Sequence, residues 1–344
     1  PYDPDAVLSV VDRLYATGLF DAVWPSTGTR ERPGGIASLD VAVEPVSPAQ
    51  ATAGLGYDTE YGGAAWAGLR HVGSVGGAPV STSLNGTLTE RSRGANGKVE
   101  VFLPRLTPLA VVAQAHVMET ELRPTDPAFG GAWWVRRWGG GVGFEIRGIE
   151  PDRSVLVAFE GEQVDETGRS SGSSYGPVLR WGTWEPLGLS LGTPTGIEGQ
   201  VRWGDYSYWL LAAQVSRQWA MGGVEFAAVG QVHASGGDQV PLDARPRLGG
   251  THGFPGFAWD EGTARAVLSG GVDVGIPIPL AGLARLRLRG GHLDALAAGS
   301  TTDLDVLGAE GGIVWRTPFG TVELASGTNT TGAWRSRLVV STIW

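Results

Sequence analysis

The sequence predicts an all-β protein, a 16-stranded antiparallel transmembrane β-barrel that follows a short segment containing both helix and strand. Hydrophobic residues make up 42% of the 344 residues, yet no run of about 18 apolar residues occurs, which excludes a transmembrane helix. From about Gln50 to the end of the chain, apolar and polar residues alternate. This alternation is typical of a membrane barrel, whose strands present one face to lipid and the other to the interior.

Composition excludes several kinds of site. The chain contains no cysteine, so disulfide bonds and thiolate metal sites are excluded. Its five histidines, His71, His116, His233, His252 and His292, never approach a metal-binding spacing, and we expect no metal and no cofactor. The net charge of -9 argues against a nucleic-acid partner, which requires a basic surface.

The first part of the chain predicts one helix and two strands. Residues 3–17 carry apolar side chains at helical spacing, and Gly18 is suited to end the helix. Short strands are expected at 20–25 and 37–44, with the turn between them at 30–35. These elements alone would bury only a marginal core.

Sixteen strands are predicted after this segment. The clearest alternation lies in 283–291, where the apolar Leu286 and Leu288 oppose three arginines, Arg285, Arg287 and Arg289. A polar face holding charges of both signs favours a wet barrel interior over a soluble sheet. The predicted strands cover 49–58, 62–72, 78–90, 95–103, 107–121, 133–149, 153–165, 173–187, 195–204, 206–218, 222–234, 263–277, 282–292, 303–316, 319–326 and 334–344.

Tryptophans near the predicted strand ends indicate an interfacial aromatic girdle. They are Trp133, Trp134, Trp138, Trp181, Trp184, Trp203 and Trp209. The last strand alternates and ends in an aromatic residue, as the C-terminal signal of outer-membrane barrels does. Its residues are Leu338, Val340, Thr342 and Trp344.

The longest stretch without alternation in the second half of the chain is 242–262, which combines glycine clusters with aromatic residues. Disordered segments are usually poor in aromatic residues, so an ordered loop is expected here. We expect this loop to pack inside the barrel. One function that fits such a barrel is that of a passive porin whose interior is plugged by the loop.

Three short matches to catalytic or phosphate-site motifs have simpler explanations. Residues 168–172 fit Gly-x-Ser-x-Gly but lie in a polar loop, without the strand and helix that a nucleophile elbow requires. Glu160 and Glu162 share a strand face and are interpreted as solvated interior residues. Asn96-Gly97 is typical of a hairpin turn. We therefore expect no enzyme activity within this chain.

The helix 3–17 with its Leu14-Tyr15, and the following Gly18-Leu19-Phe20-Asp21-x-Val23, resemble the second half of a POTRA domain, a periplasmic module that precedes outer-membrane assembly barrels. The module's first strand and first helix are missing. The resemblance implies that 1–46 is the C-terminal part of a POTRA domain, that 47–344 is the barrel, and that the chain belongs to something longer.

With this half module, sixteen strands and a long loop after the eleventh, the chain resembles the BamA/TamA superfamily of outer-membrane assembly factors. In that family the loop folds into the barrel and carries Gly-Gly, four residues, then Arg-Gly-Phe. Here Gly249-Gly250 is followed by four residues ending in Phe254, and then by Pro255-Gly256-Phe257. The spacing matches, but proline replaces arginine.

The family's loop arginine pairs with an aspartate on strand thirteen of the barrel wall. The matching wall position here holds Arg289, so both partners depart from the pattern. We expect Arg289 to meet Asp260 or Glu261 of the loop, which would reverse the polarity of the contact.

The resemblance implies an integral barrel of the bacterial outer membrane that inserts, translocates or anchors polypeptide, with a weak seam between its first and last strands. A second branch of the superfamily carries a patatin-like phospholipase domain upstream, and the short barrel is also similar to that branch. The implied partners are outer-membrane lipid, a periplasmic or upstream domain reached through the POTRA segment, and a polypeptide substrate. The sequence leaves the oligomeric state open, with a homodimer as one option.

Overall fold

The computed structural model of the protein describes residues 6–8, 10–11, 14, 20–32, 36–59, 62–103, 108–122, 132–147, 154–182, 195–248, 254–257, 264–279, 282–295, 303–318 and 320–342. Residues 6–8, 10–11 and 14 are helical. Strands β1 (Phe20–Arg32) and β2 (Ile36–Pro45) then form an antiparallel two-stranded sheet. Both strands are longer than the sequence predicts.

A closed antiparallel barrel of sixteen strands follows, which confirms the predicted all-β class and strand number. The last strand pairs with the first barrel strand, so each strand has a neighbour on both sides. The strands are β3 (Ala49–Asp58), β4 (Gly62–Val75), β5 (Ala78–Thr89), β6 (Ser92–Phe102), β7 (Leu109–Leu122), β8 (Trp133–Arg147), β9 (Ser154–Glu166), β10 (Gly172–Gly182), β11 (Gly196–Gly204), β12 (Tyr208–Met221), β13 (Val224–Gly236), β14 (Ala264–Ile278), β15 (Gly282–Ala295), β16 (Leu304–Thr317), β17 (Gly320–Asn329) and β18 (Trp334–Thr342).

The two faces of the barrel wall differ as the alternation predicts. On β15 the side chains of Leu286 and Leu288 are exposed on the outer face, whereas those of Arg287 and Arg289 are buried on the inner face. Large apolar side chains are exposed on the outer faces of many other strands. An apolar exterior of this kind suits a barrel surrounded by lipid.

Acidic side chains of the inner face are paired with cations across strands, so the expectation that Glu160 and Glu162 are solvated is wrong. The Glu160 side chain is 2% exposed and accepts hydrogen bonds from Arg180 at 2.8 Å and Arg202 at 2.6 Å. Lys98 pairs with Glu145 in the same way on β6 and β8. A buried carboxylate needs such a partner, because an unpaired buried charge is costly.

Two other sequence expectations need correction. Asn96 and Gly97 lie inside β6, paired with Asn85 and Leu84, and do not form a turn. Of the tryptophans expected in the girdle, Trp134, Trp138, Trp181, Trp203 and Trp209 are exposed. Trp133 instead packs against a buried apolar cluster, and Trp184 lies outside the described residues.

In the part of the chain that the structure describes, no helix combines the length and the hydropathy needed to cross a membrane.

Candidate functional site

The segment between β13 and β14 contains the loop that the sequence singles out. The structure describes 237–248 and 254–257 of it. Gly249, Gly250, Asp260 and Glu261 lie outside the described residues. The two described parts are held against the inner face of the barrel in different ways.

The first part contains a short 3-10 helix, Leu242–Ala244, which we call the helix anchor. Asp243 of this helix accepts two hydrogen bonds from Arg137 of β8, from Nε at 2.6 Å and from Nη2 at 2.5 Å. Both side chains are about nine-tenths buried. A bidentate pair of this kind is among the strongest polar contacts in proteins and also fixes orientation.

Arg137 also organises the surrounding wall. Its Nη1 donates to Glu162 at 2.8 Å and to the Tyr208 hydroxyl at 3.1 Å, and that hydroxyl donates to Glu162 at 3.2 Å. The backbone N–H of Leu242 donates to Glu166 at 3.2 Å. The helix anchor thus has polar contacts with both β8 and β9.

Apolar packing surrounds these polar contacts. Leu242 and Ala244 belong to a buried cluster formed with side chains of β7, β8 and β9, the start of β12 and the turn before it. The wall members are Leu122, Val135, Val164, Tyr206 and Tyr208. Burial of this cluster excludes water from the Arg137–Asp243 pair, which strengthens the attraction between the two charges.

The second part is a tight turn, Phe254–Phe257, which we call the turn anchor. The Phe257 N–H donates to the Phe254 carbonyl at 3.3 Å, and Gly256 has φ of 81°. Proline at the second position and a glycine with positive φ at the third are typical of a type II turn. Pro255, which replaces an arginine in the family pattern, is therefore the residue that shapes this turn.

The turn anchor lies in a hollow formed by three inward-facing glycines on adjacent strands, Gly291, Gly308 and Gly327, which we call the glycine hollow. A Cβ added at Gly308 would lie 2.7 Å from the Phe254 ring and 3.1 Å from Pro255. At Gly291 an added Cβ would lie 2.8 Å from the same ring. The wall therefore lacks side chains where the turn needs space.

Packing and one hydrogen bond from the wall complete the turn anchor. Phe254 is buried in a cluster with Leu248, Val267, Leu293 and Val306, and Phe257 packs against this cluster. Asn329 at the end of β17 donates a hydrogen bond to the Pro255 carbonyl at 3.2 Å.

The two anchors lie on facing sides of the barrel. The helix anchor contacts β8, and the turn anchor contacts β16. These strands are eight steps apart in a ring of sixteen. The described parts of the loop therefore contact strands on both sides of the ring, although the helix anchor also packs against the start of β12.

Gly256→Ala should destabilise the turn anchor. Its positive φ costs a non-glycine residue about 1–2 kcal/mol, and the added Cβ would also lie 2.7 Å from Asn329 Nδ2 and 2.9 Å from the Ala333 carbonyl. The matched control is Gly332→Ala, where φ is 84° but no atom lies within 4 Å. The midpoint of urea unfolding should fall more for Gly256→Ala, and equal midpoints would contradict the contact.

The predicted arginine row lies on the inner face but is neutralised within the wall. Arg289 pairs with Asp273 of the adjacent strand at 2.6 Å, and Arg287 pairs with Glu310 at 2.8 Å. Arg285 lies 3.4 Å from Glu323 of β17. Pairing of Arg289 with Asp260 or Glu261 stays a prediction, because neither loop residue is described.

The junction between β3 and β18, which we call the seam, is short. The recorded pairs are Val339–Asp58, Val340–Tyr57 and Ser341–Gly56. Within the described residues, every other junction of the barrel has at least seven pairs, the number found between β11 and β12. Leu338, Val340 and Thr342 of the predicted terminal signal lie in β18, whereas Trp344 is outside the described residues.

Sequence reasoning missed the Arg137–Asp243 pair. The reversed polarity that it expected between loop and wall does occur, with a loop carboxylate and a wall arginine, but at different residues. One signal was available. Arg137 occupies an inward position of β8, and Asp243 is an acidic residue of the loop 242–262.

Comparisons with solved structures find the same fold in known barrels. BamA from Haemophilus ducreyi lacking POTRA domains 1-3 superposes with a TM-score of 0.71 at 14% identity, over 98% of this chain and 78% of that one. CdiB from Escherichia coli gives 0.63 at 13%, over 100% and 71%. CdiB from Acinetobacter baumannii gives 0.59 at 12%, over 96% and 67%. No protein-family model matches the sequence, and no curated protein matches it significantly.

Proposed function

We propose that this protein is an outer-membrane barrel that inserts, translocates or anchors polypeptide, and that it works through the seam between β3 and β18. The short seam is the observation that carries the proposal. A strand edge with few ladder partners exposes backbone N–H and C=O groups, which can pair with an incoming strand. The fold shared with BamA and CdiB barrels supports the same reading.

The composition of β3 favours weak pairing at the seam. Gly54 and Gly56 interrupt the strand, and glycine in a strand interior lowers its stability. A Cβ at Gly56 would lie 2.8 Å from the Val340 carbonyl, so the two backbones approach closely only because this side chain is absent. The seam is thus formed by a few close backbone contacts, to which the Thr59 hydroxyl adds a hydrogen bond accepted from the Leu338 N–H at 3.4 Å.

The loop between β13 and β14 would close the interior against passive flow. The helix anchor contacts β8 and the turn anchor contacts β16, and in this proposal the loop 242–262 obstructs the barrel between them. In this proposal residues 1–46 form the end of a POTRA domain that presents polypeptide to the barrel 47–344. A plugged porin would share the loop but would not need a seam that opens.

Closing the seam covalently should abolish activity. The chain has no cysteine, so Tyr57→Cys with Val340→Cys offers a single disulfide between directly opposed residues. We expect vesicles containing the oxidised variant to fold an added small outer-membrane barrel no faster than empty vesicles do, and reductant to restore the rate. Gel mobility measures the folded fraction.

The matched control is Ala65→Cys with Leu88→Cys, an opposed pair in the long β4–β5 junction. Oxidation of this pair should leave the folding rate unchanged. Equal rates for the oxidised and reduced seam variants would contradict opening at the seam. A reduced protein that never exceeds empty vesicles would contradict the insertion role itself.

A further inference from the structure

The outer wall of the barrel carries an apolar depression directly behind the glycine hollow. It has a volume of about 600 Å³ and is lined by residues of β14, β15, β16 and β17 and by Thr330, and its side-chain surface comes mainly from the outward-facing residues. Gly290 and Ala309 contribute almost no side chain to its floor, whereas Leu288 and Leu307 rise beside them. The Leu307 side chain is 66% exposed and that of Leu288 is 44% exposed.

The wall at this point is one backbone layer thick. On β15, Gly290 faces outward and its neighbour Gly291 faces the Phe254 ring. On β16, Ala309 faces outward and Gly308 faces Phe254 and Pro255. The outer depression and the turn anchor therefore occupy opposite sides of the same small-residue wall, because side chains alternate along each strand.

The depression runs from the strand ends toward the middle of the wall. Thr328 and Thr330 line its upper edge, close to the hairpin between β17 and β18. Thr328 pairs with Trp334, whose side chain is 68% exposed at the start of β18. Tryptophan at a strand end marks the level where lipid headgroups meet hydrocarbon, so the depression continues from that level into the apolar band.

We propose that the outer depression binds one acyl chain of a bilayer phospholipid. The lining is almost entirely apolar, it is continuous with the lipid-facing leucines around it, and its upper edge carries hydroxyl groups at the headgroup level. An empty apolar depression forfeits dispersion contacts that an acyl chain would make. This inference does not depend on the proposed insertion function, because it concerns lipid contact alone.

Photochemical labelling tests the inference. The full chain is placed in phosphatidylethanolamine vesicles in which a fraction of the lipid carries a diazirine midway along one acyl chain. After irradiation, peptide mass spectrometry locates the adducts. We expect labelling of 286–290 and 305–309 to exceed, by several-fold, labelling around the exposed Leu69 and Leu84 on the other side of the seam. Equal labelling of all exposed leucines would overturn the inference.

Filling the depression gives a second, independent readout. Ala309→Leu should reduce labelling of 286–290 to the level found around Leu69, whereas Ala113→Leu, at an exposed outward position of β7, should leave it unchanged. Unchanged labelling in Ala309→Leu would also overturn the inference. The alternative occupant of the depression is a second copy of the chain. A disulfide-linked dimer formed by the Ala309→Cys variant would show that two copies meet at the depression and would overturn the inference. The labelling pattern of the unmodified chain decides the question if Ala309→Leu fails to fold.

Discussion

Asp243→Ala is expected to release the helix anchor from the wall. The substitution leaves Arg137 without its bidentate partner in a buried site, and breaking a buried ion pair costs about 3–5 kcal/mol. The absence of cysteine allows a direct measurement with Ala244→Cys, a buried position in the same helix. A membrane-impermeant thiol reagent should label this cysteine about a hundredfold faster when Asp243 is also replaced, since about 1.4 kcal/mol corresponds to a factor of ten.

The comparison variant is Glu225→Ala, which breaks the Arg316–Glu225 pair at 3.1 Å. Both side chains of that pair are well exposed, and exposed pairs contribute about 0–1 kcal/mol. Labelling of Ala244→Cys should not change in this background. Asp243→Asn should give an intermediate rate, because an amide oxygen still accepts one hydrogen bond. If Asp243→Ala leaves the labelling rate unchanged, the apolar cluster alone holds the helix anchor.

Phe254→Ala is expected to release the opposite end of the loop and to open the interior to ions. Removing a buried phenylalanine costs about 3–5 kcal/mol, and here the ring fills the space left by Gly291 and Gly308. The midpoint of urea unfolding should fall. Single-channel conductance in planar bilayers should rise, because the released turn no longer holds the loop against this wall.

Phe144→Ala is the matched control for this experiment. Phe144 is exposed on the outer face of β8, where a smaller apolar side chain leaves the interior unchanged. We expect its conductance to equal that of the unmodified protein. A Phe254→Ala protein with lowered stability but unchanged conductance would show that the loop remains across the interior without the turn anchor, and the plug role assigned to Phe254 would then be wrong.

The barrel was predictable from the sequence because one physical requirement is repeated along it. Each strand must present an apolar face outward, so apolar and polar residues alternate along every strand. The arginines of β15 alternate with leucines for this reason. Strand ends were less accurate: the predicted strand 319–326 continues to Asn329, because its pairing with Gly308 depends on the neighbouring strand and not on local pattern.

The contacts of the loop were less predictable than the loop itself. Arg137 and Asp243 are 106 residues apart, so their pairing depends on the closure of the whole barrel and on the path of the loop. The space for the Phe254 ring depends on two glycines on separate strands, Gly291 and Gly308. The Arg289–Asp273 pair differs, since both residues lie on adjacent strands joined by a short hairpin, and a register alignment would have suggested it.

The attachment of one loop to two facing walls also has a mechanical consequence. A ring of sixteen paired strands has a nearly fixed perimeter, so it can change its cross-section mainly by flattening into an ellipse. A tie between β8 and β16 restrains one diameter, and a fixed perimeter then restrains the perpendicular diameter as well. The seam lies only a few strands from β16, where flattening would sharpen the local curvature. By keeping the cross-section of the barrel circular, the anchored loop would limit bending at the seam.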